Sequence, residues 1–286
     1  MKWLGNRESS NVEDRRGMSG GKMIAGGGVA GLIVYLLYTL LSGNPIDPDK
    51  ITNQVNSEQN QSKLSPEQQA EDDQKAKFVK TVLAETEDEW NKIFRQAGQY
   101  YQEPILVLYR DAVNSGCGNA RSSTGPFYCP GDNKLYIDLS FYQDLQDKLN
   151  APGDFAMAYV IAHEVGHHVQ NLQGISAKIN ELRSRVSETE FNRYSVQMEL
   201  QADFYAGVWA HYAQKTKNIL EAGDIEEAMN AANAIGDDRL QKQSTGRIVP
   251  DAFTHGTSAQ RMYWFKKGFE TGDLKKGDTF NDPTLK

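Results

Sequence analysis

The chain has no excess of positive charge and little average hydrophobicity. Its 286 residues include 31 lysines and arginines against 38 aspartates and glutamates, which gives a formal net charge of -7. A protein whose main partner is nucleic acid needs a basic face that binds phosphates. The charge balance therefore excludes nucleic acid as the main partner. The mean hydropathy of -0.62 excludes a protein that crosses a membrane many times.

Cysteine is scarce, with Cys117 and Cys129 as the only two in the chain. Two cysteines allow one intramolecular pairing, and in an oxidising compartment such a pair most often forms a disulfide. The alternative is a pair of buried free thiols. A zinc site built on these cysteines is disfavoured because neither has the close partner of a CxxC ligand pair. The sequence therefore predicts a disulfide that closes a short loop.

The chain has one long apolar run, from Met23 to Leu41. These nineteen residues contain no charge, and they are enough to cross the hydrocarbon core as a helix, at about 1.5 Å of rise per residue. The alternatives are a buried core helix and a cleaved signal peptide, whose apolar part is usually shorter. The polar flanks favour an uncleaved transmembrane anchor, so the lipid bilayer is a predicted partner.

Positive charge is concentrated before this run. Lysine and arginine occur five times in residues 1–22 and twice in residues 42–70. By the positive-inside rule, the N-terminus is expected in the cytoplasm and the chain after the run outside it. The predicted organisation is a cytoplasmic tail (1–22), a transmembrane anchor (23–41), a polar linker (42–77) and one folded domain (78–286).

The folded domain combines a few strands with several helices. Strands are predicted at Pro104–Arg110 and Lys134–Asp138 from their β-branched and aromatic content. Helices are predicted from apolar residues at helical spacing and from capping patterns. The first two predicted helical segments meet near Thr86. The other predicted helices are about Asp154–Leu172, Phe191–Thr216, Asp224–Ile235 and a last one that begins after Thr257. This pattern predicts an α+β fold, a small sheet packed on a mainly helical domain.

Three of the five histidines of the chain lie in the stretch AYVIAHEVGHHVQ. His163 and His167 are four residues apart, so a helix places both on one face, about one turn apart. Two imidazoles in this arrangement can bind one zinc ion at about 2.0–2.1 Å. Glu164 is then placed to act as general base towards a water on the metal. This HExxH pattern also occurs by chance in ordinary helices.

A second helix is predicted to supply the third ligand. Glu199 and Asp203 are four residues apart in MELQADFYAGVWAH and share a helical face. Glu199 completes a His2Glu site for one Zn²⁺ per chain, with one position open for water. Asp203 accepts the second N–H of a ligand histidine and fixes its tautomer. The alternative is a pair of surface carboxylates, but the HExxH pattern nearby favours the metal site.

The remaining histidines are predicted to have other roles. His168 points to a different helical face from the two predicted ligands, and His211 lies about three turns along the second helix, so neither is a predicted ligand. His255, on a loop before the last helix, is a candidate to hydrogen-bond the oxyanion of a tetrahedral intermediate. Arg261 is a candidate for the same role or for pairing with a carboxylate. A structural role is the alternative for both.

These motifs together resemble a known group of enzymes. The HExxH stretch and the ELQAD segment are similar to those of gluzincin metallopeptidases, in which the second segment supplies the third ligand. More closely, the stretches GPFYCPGDNKLYIDLSFY, HEVGHHVQ, ELQADFYAGVWA and DAFTHGTSAQR resemble a family of bacterial neutral zinc metallopeptidases anchored by one N-terminal membrane span. The resemblance covers nearly the whole chain and implies a zincin-like fold.

Two further expectations come from this resemblance. HGTSAQR is similar to the HPP…R segment of membrane-linked HExxH peptidases, although Gly256 and Thr257 stand where those relatives have prolines. The histidine and arginine of that segment lie near the active site, which favours His255 as a stabiliser of the transition state. Gluzincins also have an edge strand that binds extended substrate, for which Leu135–Leu139 is the candidate.

The sequence therefore predicts a membrane-anchored zinc endopeptidase that cleaves peptide or protein substrates, with a zinc-activated water and Glu164 as general base. The predicted location is the bacterial inner membrane, with the catalytic domain in the periplasm. Two alternatives stay open. One is a non-catalytic binding or scaffold protein stabilised by zinc, which would not need Glu164, and the other is a hydrolase of a non-peptide amide.

Overall fold

A mixed four-stranded sheet lies on one side of the domain. The computed structural model describes residues 1–17 and 64–285. The strands of the sheet are β1 (Val12–Asp14), β2 (Ile105–Tyr109), β5 (Phe127–Cys129) and β6 (Lys134–Asp138). β1 and β6 pair in parallel with β2, and β5 pairs antiparallel with β6, which leaves β5 at one edge. Strands β3 (Ala112–Ser115) and β4 (Gly118–Arg121) form a separate hairpin.

Helices make up most of the remaining described chain. The long ones are α1 (Pro66–Gln96), α2 (Asp154–Leu172), α4 (Glu188–Lys217) and α7 (Ser258–Thr271). The shorter ones are α3 (Ile175–Leu182), α5 (Asp224–Ala234) and α6 (Asp237–Thr245). α2 packs against α1, α4 and α5, and most of its residues are buried. A helix that is apolar nearly all round belongs inside a domain, and α2 has this position.

Both faces of the sheet are covered, which explains why β2 and β6 are continuous apolar runs. The side chains that face the helices and join the main core are Leu106, Leu108, Leu135 and Ile137. The side chains on the other face, which pack with the β3–β4 hairpin, are Val107, Tyr109 and Tyr136. The predicted disulfide between Cys117 and Cys129 is present and ties the edge strand β5 to the hairpin loop.

Several predicted elements agree with the structure. β6 and α2 have the predicted bounds. α7 begins with a capping box in which the Thr257 hydroxyl accepts the backbone N–H of Gln260. The helices predicted at Phe191–Thr216 and Asp224–Ile235 correspond to α4 and α5, with small differences at their ends.

The two helical segments predicted on either side of Thr86 are one helix, α1. Thr86 does not cap a helix: it is buried within α1 and donates its hydroxyl to the carbonyl of Leu83. α1 begins instead at Pro66, after a capping box formed by Ser65 and Gln68. Serine, proline at the first helical position and glutamine together make a strong helix start. The first turns of α1 therefore lie within the predicted polar linker.

Residues 1–17 are part of the same domain. β1 extends the sheet by pairing with β2, and the α-amino group of Met1 lies 2.7 Å from Asp154 at the start of α2. Segments that share a sheet lie on the same side of any membrane. The prediction that residues 1–22 form a cytoplasmic tail opposite a periplasmic domain is therefore wrong for residues 1–17.

Two of the basic residues that led to this prediction pair with carboxylates within the domain. Arg7 pairs with Glu87 and Asp88 of α1. Arg16 pairs with Asp72, near the other end of the same helix. A count of lysines and arginines cannot distinguish charges that orient a membrane span from charges that pair inside a fold.

The prediction of a transmembrane helix, and with it of a single-pass inner-membrane protein, is corrected. Across residues 1–17 and 64–285, no helix has both the length and the apolar character that crossing a membrane requires. The predicted span Met23–Leu41 lies outside the described residues. The other part of the fold prediction, a small sheet packed on helices, agrees with the structure.

Candidate metal centre

A close crossing of α2 and α4 sets the distances at the candidate site. Gly166 of α2 lies against Ala202 of α4, and a Cβ on Gly166 would stand 2.9 Å from the Ala202 carbonyl oxygen. The neighbouring atoms are mostly backbone, so a larger side chain there would push the two helices apart. This crossing brings His163 and His167 of α2 to Glu199 of α4.

His163, His167 and Glu199 form a compact group. Nε2 of His163 lies 3.1 Å from Oε2 of Glu199, and Nε2 of His167 lies 3.3 Å from Oε1. One ligand atom from each residue lies within 4.8 Å of the other two. Two imidazole nitrogens and a carboxylate are the donor set of His2Glu zinc sites. The three residues therefore fit a zinc ion and leave a coordination position for a further ligand.

The charged residues in and around this group shift one another's pKa values. Burial alone would lower the pKa of His163, but Asp203 and Glu199 raise it to about 10. Burial would raise the pKa of Glu199, yet His167 and His163 lower it well below its usual value. The carboxylate is thus held ionised and already faces positive charge. A metal ion that displaces the protons of the histidines would supply positive charge in their place, so the Glu199 carboxylate would still be attracted.

Asp203 lies where the sequence predicts it, behind His163. Its Oδ1 is 2.8 Å from Nδ1 of His163 and accepts the hydroxyl of Tyr159 at 2.5 Å. With Nδ1 engaged by a carboxylate, Nε2 of His163 is left to face the candidate metal position. Tyr159 was not identified from the sequence, although it lies one helical turn before His163, and that spacing is a usable signal.

Arg261 is buried and bound to Asp203. Its Nε and Nη2 donate to the two carboxylate oxygens at 2.8 and 3.0 Å, and Nη1 donates to the Ile235 carbonyl at 3.4 Å. Arg261 is only 2% exposed. Of its two predicted roles, this geometry matches pairing with a carboxylate rather than contact with substrate. Arg261 compensates the buried charge of Asp203.

A second polar side chain, missed in the sequence, contacts the other histidine. Oε1 of Gln170 lies 2.9 Å from Nδ1 of His167. The two residues are three apart on α2, so helical spacing alone places them as neighbours. Glutamine is common on helices in many roles, so no sequence pattern distinguishes Gln170.

Glu164 lies beside the edge strand β5. It is 8% exposed, and burial raises the pKa of its carboxyl group, while the two histidines and the backbone N–H of Tyr128 in β5 act in the opposite direction. The prediction that Leu135–Leu139 forms the edge strand is wrong, because β6 lies between β2 and β5. β5 was missed because three residues are too few to show an alternating pattern.

His255 is oriented by Asp237, a residue that no sequence pattern identifies. Nδ1 of His255 lies 3.2 Å from Oδ1 of Asp237. The other carboxylate oxygen accepts the backbone N–H groups of Thr254, His255 and Gly256. The hydrogen bond to Asp237 raises the pKa of His255, and the negative charge of Glu199 adds to the rise. Half of the His255 side chain is exposed, so it is accessible to a substrate.

The other two histidines lie outside this group. His168 is fully buried, with Nε2 2.6 Å from the Gln102 carbonyl and Nδ1 3.1 Å from the Tyr128 hydroxyl. Burial lowers its pKa to about 4. His211 donates from Nδ1 to the carbonyl of Phe269 at 2.8 Å, which ties α4 to α7. Both histidines connect structural elements.

Comparisons with known proteins show which family the chain belongs to. A family model described as "Putative neutral zinc metallopeptidase" matches residues 1–280. YpfJ of Escherichia coli K12 is 52% identical over 288 residues, which cover 98% of this chain and 99% of YpfJ. Rv2575 of Mycobacterium tuberculosis H37Rv is 40% identical over 219 residues, 73% of each chain. No solved structure shows significant similarity. Because the family match covers nearly the whole chain, the protein belongs to this family of neutral zinc metallopeptidases.

Proposed function

We propose that the protein is a zinc-dependent endopeptidase that cleaves extended peptide segments. The observation that carries the proposal is the group formed by His163, His167 and Glu199. The buried carboxylate of Glu164 follows His163 on the same helix, and β5, whose outer edge pairs with no described strand, packs against that helix. A metal held only for stability needs no general base at its side. The open strand edge suits the backbone of an extended peptide.

Proton transfer is the task of Glu164 in this reaction. Zinc bound to the three ligands supplies a Lewis acid that acidifies water and polarises a carbonyl. Glu164 takes the proton of the attacking water and passes it to the leaving nitrogen. Burial raises the pKa of Glu164, which suits a group that must both accept and release a proton. His163 and His167 keep their orientation through contacts at Nδ1.

The outer edge of β5 is proposed to bind the substrate backbone. β5 pairs with β6 on one side, and no other described strand pairs with its outer edge. β5 packs against α2, the helix that carries Glu164, which supports binding of a substrate strand near this residue. A peptide that adds to β5 as a further strand therefore runs past the candidate metal position. Such pairing uses backbone groups, so it depends first on an extended conformation of the substrate and only then on the side chains of the substrate.

His255 is proposed to stabilise the oxyanion, and His255→Leu is expected to lower kcat/KM by about 10²-fold, the usual effect of losing one oxyanion donor. Nδ1 lies near the Thr254 hydroxyl and the Asp237 carboxylate. Because the carboxylate only accepts, Nδ1 carries a proton, and Nε2 carries one only while the imidazole is charged. Wild-type activity should therefore fall as pH rises through the raised pKa of His255. Leucine does not titrate, so this alkaline limb should be absent from the variant.

The measurement is kcat/KM from acidic to alkaline pH for both proteins, with zinc content determined in parallel. Equal zinc content separates loss of the oxyanion donor from loss of metal. A variant with wild-type rates and an unchanged alkaline limb would assign His255 to loop structure alone.

The proposed activity is tested with the full chain, by measuring bound zinc and incubating the protein with a peptide mixture from a digested proteome. We expect one zinc per chain, cleavage within peptides, loss of cleavage on chelation and its recovery with added zinc. Unfolding on chelation, with no cleavage by the zinc-loaded protein, would favour the non-catalytic binding protein. If the zinc-loaded protein left the peptides intact but hydrolysed a non-peptide amide in a parallel incubation, the alternative hydrolase would be favoured.

A further inference from the structure

Gln170 is held in one orientation by contacts with α4. Its side chain is fully buried. Nε2 of Gln170 donates to the Met198 carbonyl at 2.7 Å and to Oε1 of Gln201 at 3.1 Å. Nε2 of Gln201 donates in turn to the Gly277 carbonyl at 2.9 Å, which fixes the direction of the Gln201 amide. Both neighbours of the Gln170 amino group are therefore acceptors.

This arrangement determines which side of Gln170 faces His167. A flipped amide would place its oxygen against the oxygens of Met198 and Gln201, and buried polar groups without partners are costly. The oxygen of Gln170 consequently faces Nδ1 of His167 at 2.9 Å. An amide oxygen only accepts hydrogen bonds, so Nδ1 of His167 must carry the proton. In a neutral imidazole this leaves the lone pair on Nε2.

We infer that Gln170 is a positioning residue that fixes the tautomer and ring orientation of His167, as Asp203 does for His163. The inference rests on the proposed zinc site, because it concerns how His167 presents Nε2 to a metal. The two histidines are held differently. The partner of His163 is a carboxylate whose charge is compensated by Arg261, whereas the partner of His167 is a neutral amide. His167 is thus oriented for metal binding without a second buried ion pair.

The competing explanation is that Gln170 only joins α2 to α4. Gln201 offers a matched comparison, since it is 5% exposed and its amide also makes two hydrogen bonds between separate elements. Gln201 does not contact a predicted ligand in the structure. In a Gln201→Leu variant, the Met198 carbonyl still orients the Gln170 amide.

The test compares Gln170→Leu and Gln201→Leu in the full-length protein. Zinc affinity is measured by competition with a chromophoric chelator, and the visible absorption of the Co²⁺-loaded protein reports ligand geometry. Gln170→Leu is expected to weaken zinc binding by about 10–100-fold, as loss of a hydrogen bond to a ligand histidine typically does, and to change the Co²⁺ spectrum. Gln201→Leu should lower stability but weaken zinc binding far less than Gln170→Leu.

Two outcomes would overturn the inference. Wild-type zinc affinity and an unchanged Co²⁺ spectrum in Gln170→Leu would show that His167 does not need this contact. Equal losses of zinc affinity in Gln170→Leu and Gln201→Leu would assign Gln170 to helix packing. Absence of zinc binding in the wild-type protein is a different result, because it removes the proposed function itself.

Discussion

Glu164→Gln is expected to lower the rate of peptide cleavage by about 10³-fold, within the range of roughly 10²–10⁴ that a general base contributes. Glutamine has the shape of glutamate but cannot take the proton of the attacking water. Zinc binding should be retained, because Glu164 is not among the three candidate ligands. Burial raises the pKa of Glu164, so removal of its charge should not lower the thermal stability of the fold.

The measurement is the initial cleavage rate of one peptide identified in the proteome digest, with zinc content and thermal unfolding followed on the same samples. Glu188→Gln is the matched control, since Glu188 is an exposed glutamate in the first turn of α4. The control should cleave at the wild-type rate. Cleavage by Glu164→Gln at the control rate would rule out the proposed role of Glu164.

The spacing of residues on single helices made much of the candidate site predictable. His163 and His167, and Glu199 and Asp203, are each four residues apart, so any helix through them places each pair on one face. That the two faces meet could not be derived from spacing. It depends on the close approach of α2 and α4 at Gly166, for which a glycine within a helix is only an indirect sign.

Contacts that depend on distant segments could not be predicted from the sequence. Asp237 and His255 are brought together by the loop before α7. Gln170 has its direction fixed through Gln201 by Gly277, more than a hundred residues further along the chain. Local patterns carry no information about such partners. They reveal which side chains have suitable chemistry, and the tertiary fold decides which of them meet.

At the start of the chain, the pattern of charges likewise does not reveal which residues pair. Basic residues before an apolar run are typical of a cytoplasmic flank, and residues 1–17 contain four of them. In the structure, Arg7 and Arg16 instead pair with carboxylates of α1, and β1 joins the sheet. The sequence shows the acidic partners too, but they meet Arg7 and Arg16 only in the folded domain, where the start of the chain lies against α1.

Asp203→Asn is expected to lower the free energy of unfolding by about 3–5 kcal/mol, the typical cost of removing one partner of a buried ion pair. Asparagine keeps the shape of the side chain and an oxygen for His163. It removes the negative charge that compensates Arg261, whose Nε and Nη2 both donate to this carboxylate. Zinc affinity should fall as well, by about 10–100-fold, because the hydrogen bond to a ligand histidine is weakened.

The double variant Asp203→Asn with Arg261→Met separates these two effects. Without the guanidinium no uncompensated charge is buried, so most of the lost stability should return. Zinc affinity should stay low, because asparagine still faces Nδ1 of His163. Denaturant unfolding and chelator competition on both single variants and the double variant complete the cycle. Purely additive losses of stability would contradict coupling between Asp203 and Arg261. Recovery of wild-type zinc affinity in the double variant would show that Asp203 affects the metal site through stability alone and not by holding His163.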